Sequence, residues 1–377
     1  MKKKKAHFPR QCLLALSLSA SALPALAELP RDVQVERLDP ARIAVTWTGT
    51  AVSGEQYRIS ISDAADAAMP GQVSPVAGAA GRIELDHAPG VRPYVRIEDD
   101  KGEWIVVGER VLPLEGGINF RDLGGYPTPD GRQVRWGALF RSGAMDTLTD
   151  GDYAYLQRLG IKTICDLRAN QERKAAPTQN ERIAAGATYV SWDYDLDFDA
   201  SALKQAFTAG GDPKEAAVRM MSGFYRTMPQ AFAPRYRAAF DALKAGDGLL
   251  FNCSAGKDRT GLLAALVLTT LGVAPDAVMA DYAMSQRVAS LQTLRQRGND
   301  PTGKKAEDPN MAFFARLPSG AVDALMGTDP VYLYSAFDQI RADYGSVDAY
   351  IERELGVSAA DRLALQTRYL EPAPQAP

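Results

Sequence analysis

The feature that most restricts this chain is the run Cys253-Ser254-Ala255-Gly256-Lys257-Asp258-Arg259, set between the apolar segments Gly248 to Phe251 and Leu262 to Leu271. A short apolar run, a group of small residues and a longer apolar period read as strand, loop and helix. Successive backbone N–H groups in such a loop point inward, and the N-terminus of the next helix adds partial positive charge. The unit is suited to replacing the hydration of an oxyanion, and Ser254, Ala255 and Gly256 are small enough to permit the curvature.

The same field favours a thiolate, because a cysteine at a helix N-terminus beside an arginine has its pKa lowered by several units from about 8.5. Arg259 supplies a planar fork matching two phosphate oxygens, where a lysine offers only a point charge. Cys253 is thus the expected nucleophile, with residues Ser254 to Arg259 around the phosphate. Thr260 can donate its hydroxyl toward the sulfur as a phosphocysteine breaks, or it can cap the helix. Asn252 is placed to hydrogen-bond the loop.

Helical periods run over Asp150 to Leu159, Glu215 to Met228, Phe232 to Lys244, Thr260 to Leu271, Ala336 to Tyr344 and Val347 to Leu355, with short apolar strands at Ile161 to Cys165 and Gly248 to Phe251. Alternation of this kind predicts an α/β domain over residues 113–371, a mostly parallel central sheet flanked by helices, with site residues at the strand C-termini. Asp166 and Arg168 lie at one such end, as site support or as an internal ion pair. Arg121 and Asp122 either orient the loop or pair within the turn around Pro129-Asp130-Gly131. The polar stretch Arg297 to Asn310 reads as a loop or cover, and residues 372–377 as a disordered tail.

Residues 28–112 carry period-two runs such as Arg42 to Trp47, Tyr57 to Ile61, Tyr94 to Ile97 and Trp104 to Val107, separated by Gly-containing turns. They predict a small all-β sandwich. Trp47 followed by Tyr94 on separate strands resembles fibronectin type III domains, which implies a protein or carbohydrate partner.

Residues 1–27 read as a signal peptide: Lys2 to Lys5 and Arg10 are basic, Leu13 to Leu26 is mostly apolar, and Ala25-Leu26-Ala27 offers a cleavage site. The apolar stretch is shorter than the roughly 20 residues of a membrane span, so export to the periplasm or beyond is expected, without stable membrane insertion. Cleavage removes five basic and no acidic side chains, leaving 38 lysines and arginines against 46 acids, a net charge of −8. Such a chain repels nucleic acid and anionic surfaces, so a phosphate site must be a local pocket. One histidine, His87, remains beyond residue 27, which excludes a Ser/His/Asp triad and a multi-histidine zinc site. No metal or other cofactor is expected. Cys165 and Cys253 also remain; Cys165 reads as an apolar strand residue, its alternative being a disulfide that shields Cys253.

Cys, five residues, Arg and then Thr resembles the signature of the cysteine-dependent tyrosine phosphatase superfamily. A nearer resemblance is to bacterial atypical tyrosine phosphatases of the secreted virulence-factor type, through Asn119 to Tyr126, Trp136 to Gly143, Asp166-Leu167-Arg168, Asp281 to Ser285 and Tyr344-Gly345-Ser346. Many relatives have histidine where this chain has Asn252. The resemblance implies a phosphorylated protein or a phosphoinositide as substrate, and Asp258 as general acid; Asp193, Asp195 and Asp197 are the alternatives. Lys257 resembles the basic loop residue of members that act on inositol phospholipids. A phosphate-binding module without turnover and a rhodanese-type sulfurtransferase are the competing classes.

Overall fold

The computed structural model describes residues 31–48, 56–65, 74–77, 80–99, 101–196, 207, 210–246, 248–288 and 317–372. The expected signal segment 1–27 and the polar stretch 297–310 lie outside the described residues.

Seven strands come first: β1 (Arg31–Asp39), β2 (Arg42–Thr48), β3 (Gln56–Ser62), β4 (Ser74–Ala77), β5 (Ala80–Asp86), β6 (Tyr94–Glu98) and β7 (Trp104–Gly108). They form two antiparallel sheets, ordered β1-β2-β5 and β4-β3-β6-β7. Period-two alternation sends Ile43, Val45 and Trp47 of one sheet, and Tyr57, Ile59, Val95 and Ile97 of the other, into one shared cluster. Tyr94 does not join it. Its ring packs with Val106 and Trp136 where the two halves of the chain meet.

Beyond these lie β8 (Arg121–Asp122), β9 (Arg132–Val134), β10 (Leu139–Ser142), β11 (Thr163–Asp166), β12 (Thr188–Ser191), β13 (Leu249–Asn252) and β14 (Leu370–Pro372). Five of them form one sheet, ordered β12-β11-β13-β10-β8, in which only β8 runs antiparallel to its neighbour. Central β13 is buried at every position, so its sequence is apolar from Leu249 to Phe251 before it closes on the buried Asn252. Its successive side chains feed two cores: Leu249 and Phe251 enter one with Leu139 and Cys165, while Leu250 enters the other with Phe140 and Ile164.

The helices are α1 (Asp150–Leu156), α2 (Asn170–Ala175), α3 (Asn180–Ile183), α4 (Pro213–Ala231), α5 (Ala233–Ala245), α6 (Arg259–Leu271), α7 (Pro275–Val288), α8 (Ser319–Met326), α9 (Pro330–Tyr344), α10 (Val347–Arg353) and α11 (Ala359–Tyr369). None of these is long and apolar enough to cross a membrane. Helix α6 is buried at every residue but Thr269, and stops at Gly272, whose φ of 88° suits the left-handed cap. Helix α7 was not foreseen because its buried stripe is Val278, Asp281, Tyr282 and Ser285, too polar for apolar periodicity to register.

Pro372, expected to open a loose tail, is instead a strand residue opposite Arg132. The Tyr369 hydroxyl donates to the carbonyls of Leu243 and Gly246, which fixes the end of α11 and lays β14 along β9.

Candidate active site

Strand β13 ends at Asn252, and Cys253 follows at the sheet's C-terminal edge, free and 2% exposed. The loop then folds back onto β10. Gly256 sits at φ 66°, and a Cβ there would lie 2.6 Å from the backbone of Ser142 and Gly143, so only glycine fits. The loop carbonyls are pinned outward: Asn119 Nδ2 donates to Ala255 O at 3.2 Å and to Gly256 O at 2.8 Å. Arg141 Nη2 donates to Gly256 O at 2.7 Å, and Ala144 N to Ser254 O at 2.9 Å. Because each peptide is planar and trans, turning these carbonyls out turns the next amides in, which makes an anion nest.

A buried charge cluster holds the pinning groups. Arg121 Nε donates to Asp281 Oδ1 at 2.9 Å and its Nη1 reaches Asn119 Oδ1, while Arg141 Nη1 donates to Asp281 Oδ2 at 2.5 Å. Burial opposes the charge of Asp281, yet Arg121 and Arg141 hold its carboxyl well below the usual carboxylate range. Asn119 itself sits at φ 53°, a conformation that asparagine tolerates better than most residues.

Arg259 is the first residue of α6 and is 7% exposed. Glu172 grips it end-on: Oε2 accepts from Nη1 and Oε1 from Nη2, both at 2.6 Å. Oε1 also accepts from Ser254 Oγ at 2.5 Å, and Tyr194 OH lies 3.2 Å from Nη1. Burial works against the Glu172 charge, but Arg259, Ser254 and the Ala169 amide prevail and bring its pKa down to about 2. Among the described residues the Nε–H of Arg259 has no partner, which leaves one edge of the fork for a ligand.

The structure places the other expected residues as follows. Thr260 is fully buried and its Oγ1 has no partner among the described residues, so it makes no capping bond and keeps a donor beside the loop. Asn252 does not reach the loop; its Nδ2 turns to Asp166 Oδ1 at 3.3 Å on the neighbouring strand. Asp166 forms the internal ion pair with Arg168, Oδ2 to Nη2 2.7 Å, and Arg168 goes on to Ala176 O and Thr178 Oγ1. That pair straps down α2, the helix that carries Glu172. Asp122 is remote from the nest, capping the Gly124 and Gly137 amides and pairing with Arg92 at 2.7 Å.

The Lys257 side chain departs from expectation. Its ammonium donates to Leu325 O at 2.9 Å and Gly327 O at 3.0 Å, so it is engaged by the end of α8 instead of facing the nest. Asp258 accepts at Oδ1 from the Tyr225 hydroxyl at 2.8 Å. Asp193 is 98% exposed and meets Arg173 at 3.4 Å; Asp195 is exposed, and Asp197 lies outside the described residues. Cys165 is free, and burial, then Asp166, pushes its thiol up to about 12, a poor state for disulfide chemistry.

Sequence reasoning does not reach Glu172, Tyr194 or Tyr225. One signal for Glu172 exists: it stands three residues after Ala169, and a helix-start glutamate beside Asp166-Leu167-Arg168 lies at a strand C-terminus where site residues gather.

A model of the Tyrosine phosphatase family matches residues 112–371. The triple specificity protein phosphatase PtpB of Mycobacterium tuberculosis is 33% identical over 276 residues, 66% of this chain and 95% of that protein. A Cupriavidus necator protein with a provisional tyrosine-protein phosphatase name is 33% identical over 264 residues, 68% of this chain and 88% of its own length. The crystal structure of P. aeruginosa TpbA covers 56% of this chain and 96% of its own at 16% identity and a TM-score of 0.22, too distant to carry an argument.

Proposed function

The chain belongs to the tyrosine phosphatase family, and from that premise we propose that it hydrolyses phosphotyrosine and related phosphomonoesters through a phosphocysteine on Cys253. The observation that carries this reading is the outward pinning of the 254–256 carbonyls by Asn119, Arg141 and Ala144. Phosphate enters the nest with Arg259 on its oxygens. The Cys253 sulfur attacks phosphorus, the P–O bond breaks, and Asp258 gives its proton to the departing oxygen. Water then attacks phosphorus, Asp258 takes the proton, Thr260 donates toward the released sulfur, and inorganic phosphate leaves.

Cys253→Ser tests this: hydrolysis of a phosphotyrosine peptide should vanish, while the wild type keeps its rate in EDTA and loses it to vanadate. A Cys253→Ser variant as active as wild type rejects the reading.

Phosphoinositides and inositol phosphates form the second substrate class, supported by the triple specificity named for the mycobacterial relative and by Lys257 beside the nest. Using that charge requires Leu325 and Gly327 to release the ammonium. Comparing rates on phosphotyrosine peptide and inositol lipids separates the two, and failure on lipids removes the second.

Export is proposed from residues 1–27 alone. The order β1-β2-β5 and β4-β3-β6-β7 supports a fibronectin type III-like sandwich, to which we assign recruitment of a protein or carbohydrate partner.

A further inference from the structure

We infer that Tyr225, backed by Tyr282, positions the leaving-group acid by holding one oxygen of Asp258 and leaving the other to carry the proton. The inference rests on the reading of Asp258 as that acid.

Asp258 stands at the residue before α6, a place where aspartate ordinarily accepts from the first helical amides. Asp212 and Asp329 do so here, accepting from Lys214 N and Val331 N. Asp258 makes no such bond. Its Oδ1 is drawn instead to the Tyr225 hydroxyl at 2.8 Å and lies 3.4 Å from Lys257 Nζ. Among the described residues Oδ2 has no partner, and the side chain keeps 20% of its exposure.

The direction of the chain of hydroxyls is forced. Tyr282 OH lies 2.8 Å from Tyr225 OH, and Tyr225 OH contacts a carboxylate, which when ionised only accepts. Tyr225 must donate to Asp258, so Tyr282 must donate to Tyr225. Burial first, then the charge of Asp258, holds the Tyr225 phenol well above its ordinary value, so it stays protonated.

Tyr225 has little freedom to do otherwise. It is fully buried, and its ring is clasped by Tyr282 at 6.1 Å and Tyr332 at 5.7 Å between centroids. With Oδ1 facing a hydroxyl proton and an ammonium, a proton arriving on Asp258 settles on Oδ2. Loss of the Tyr225 hydroxyl frees the carboxylate to swing onto the α6 amides, where it no longer serves a leaving group.

The test is kcat/KM for a series of aryl phosphates, from activated nitrophenols to plain phenol with a pKa of about 10. Wild type should depend little on the leaving group. Tyr225→Phe should keep its rate on the activated esters and lose about tenfold on phenyl phosphate, with Asp258→Asn losing about a hundredfold or more there. Tyr282→Phe should fall between wild type and Tyr225→Phe. Vanadate inhibition should be unchanged in Tyr225→Phe and Tyr282→Phe. Tyr225→Phe tracking wild type across the series would overturn the inference, as would an equal loss on every ester. A flat Asp258→Asn series would remove its premise, while the Cys253→Ser result stands apart as the test of the phosphocysteine.

Discussion

Glu172 fixes both terminal nitrogens of Arg259, and among the described residues its Nε–H has no partner, the edge that the proposed reaction assigns to phosphate. The pair also has a pH signature. Glu172 titrates near 2 in the folded chain, below its unfolded value of about 4.3, so its contribution is complete above about pH 4.3 and is lost as pH falls toward 2. At neutral pH that contribution is roughly 3 kcal/mol. Urea unfolding at pH 7 should therefore show Glu172→Gln less stable than wild type by that order, with the gap narrowing steadily as pH falls from about 4.3 toward 2; a gap that widens in acid contradicts the assignment. That Cys253, Arg259 and Thr260 share one loop and helix start was legible because they fall within one short stretch of sequence. Glu172 was not, since its partner stands 87 positions away.

At the level of elements, β13 and α6 were readable from their apolar runs, and both are buried throughout or nearly so. What hid from the sequence was the polar face of α7, where Asp281 neutralises the guanidinium groups of Arg121 and Arg141. Asp281→Asn leaves two buried guanidinium groups without a counter-charge, a change that costs about 3–5 kcal/mol. A urea midpoint should drop accordingly, and kcat should drop with it because Arg141 and Asn119 no longer hold the loop carbonyls outward. A variant as stable as wild type would show that the cluster does not carry the loop.

Across the whole molecule, the first seven strands are joined to the catalytic half by more than a linker. Buried Arg92 pairs with Asp122 at 2.7 Å, bonds Glu109 O at 2.9 Å and lies over the rings of Tyr94 and Trp136. Leu112 N donates to Phe120 O and Asp122 N to Arg110 O, so the connecting segment pairs with the strand that leads to Asn119 and Arg121. The change in periodicity marked where the strand-rich run gives way to alternating strands and helices; the junction between them was not legible, because Arg92 and Asp122 look like ordinary surface charges in isolation. The assembled molecule exists, on this account, to present Cys253 to phosphorus. Rapid quenching of Asp258→Asn during turnover of an activated aryl phosphate, followed by mass analysis of the intact chain and its peptides, reads that directly. The account predicts one added phosphoryl group, on Cys253; turnover with an unmodified Cys253, or with phosphate on any other residue, would contradict it.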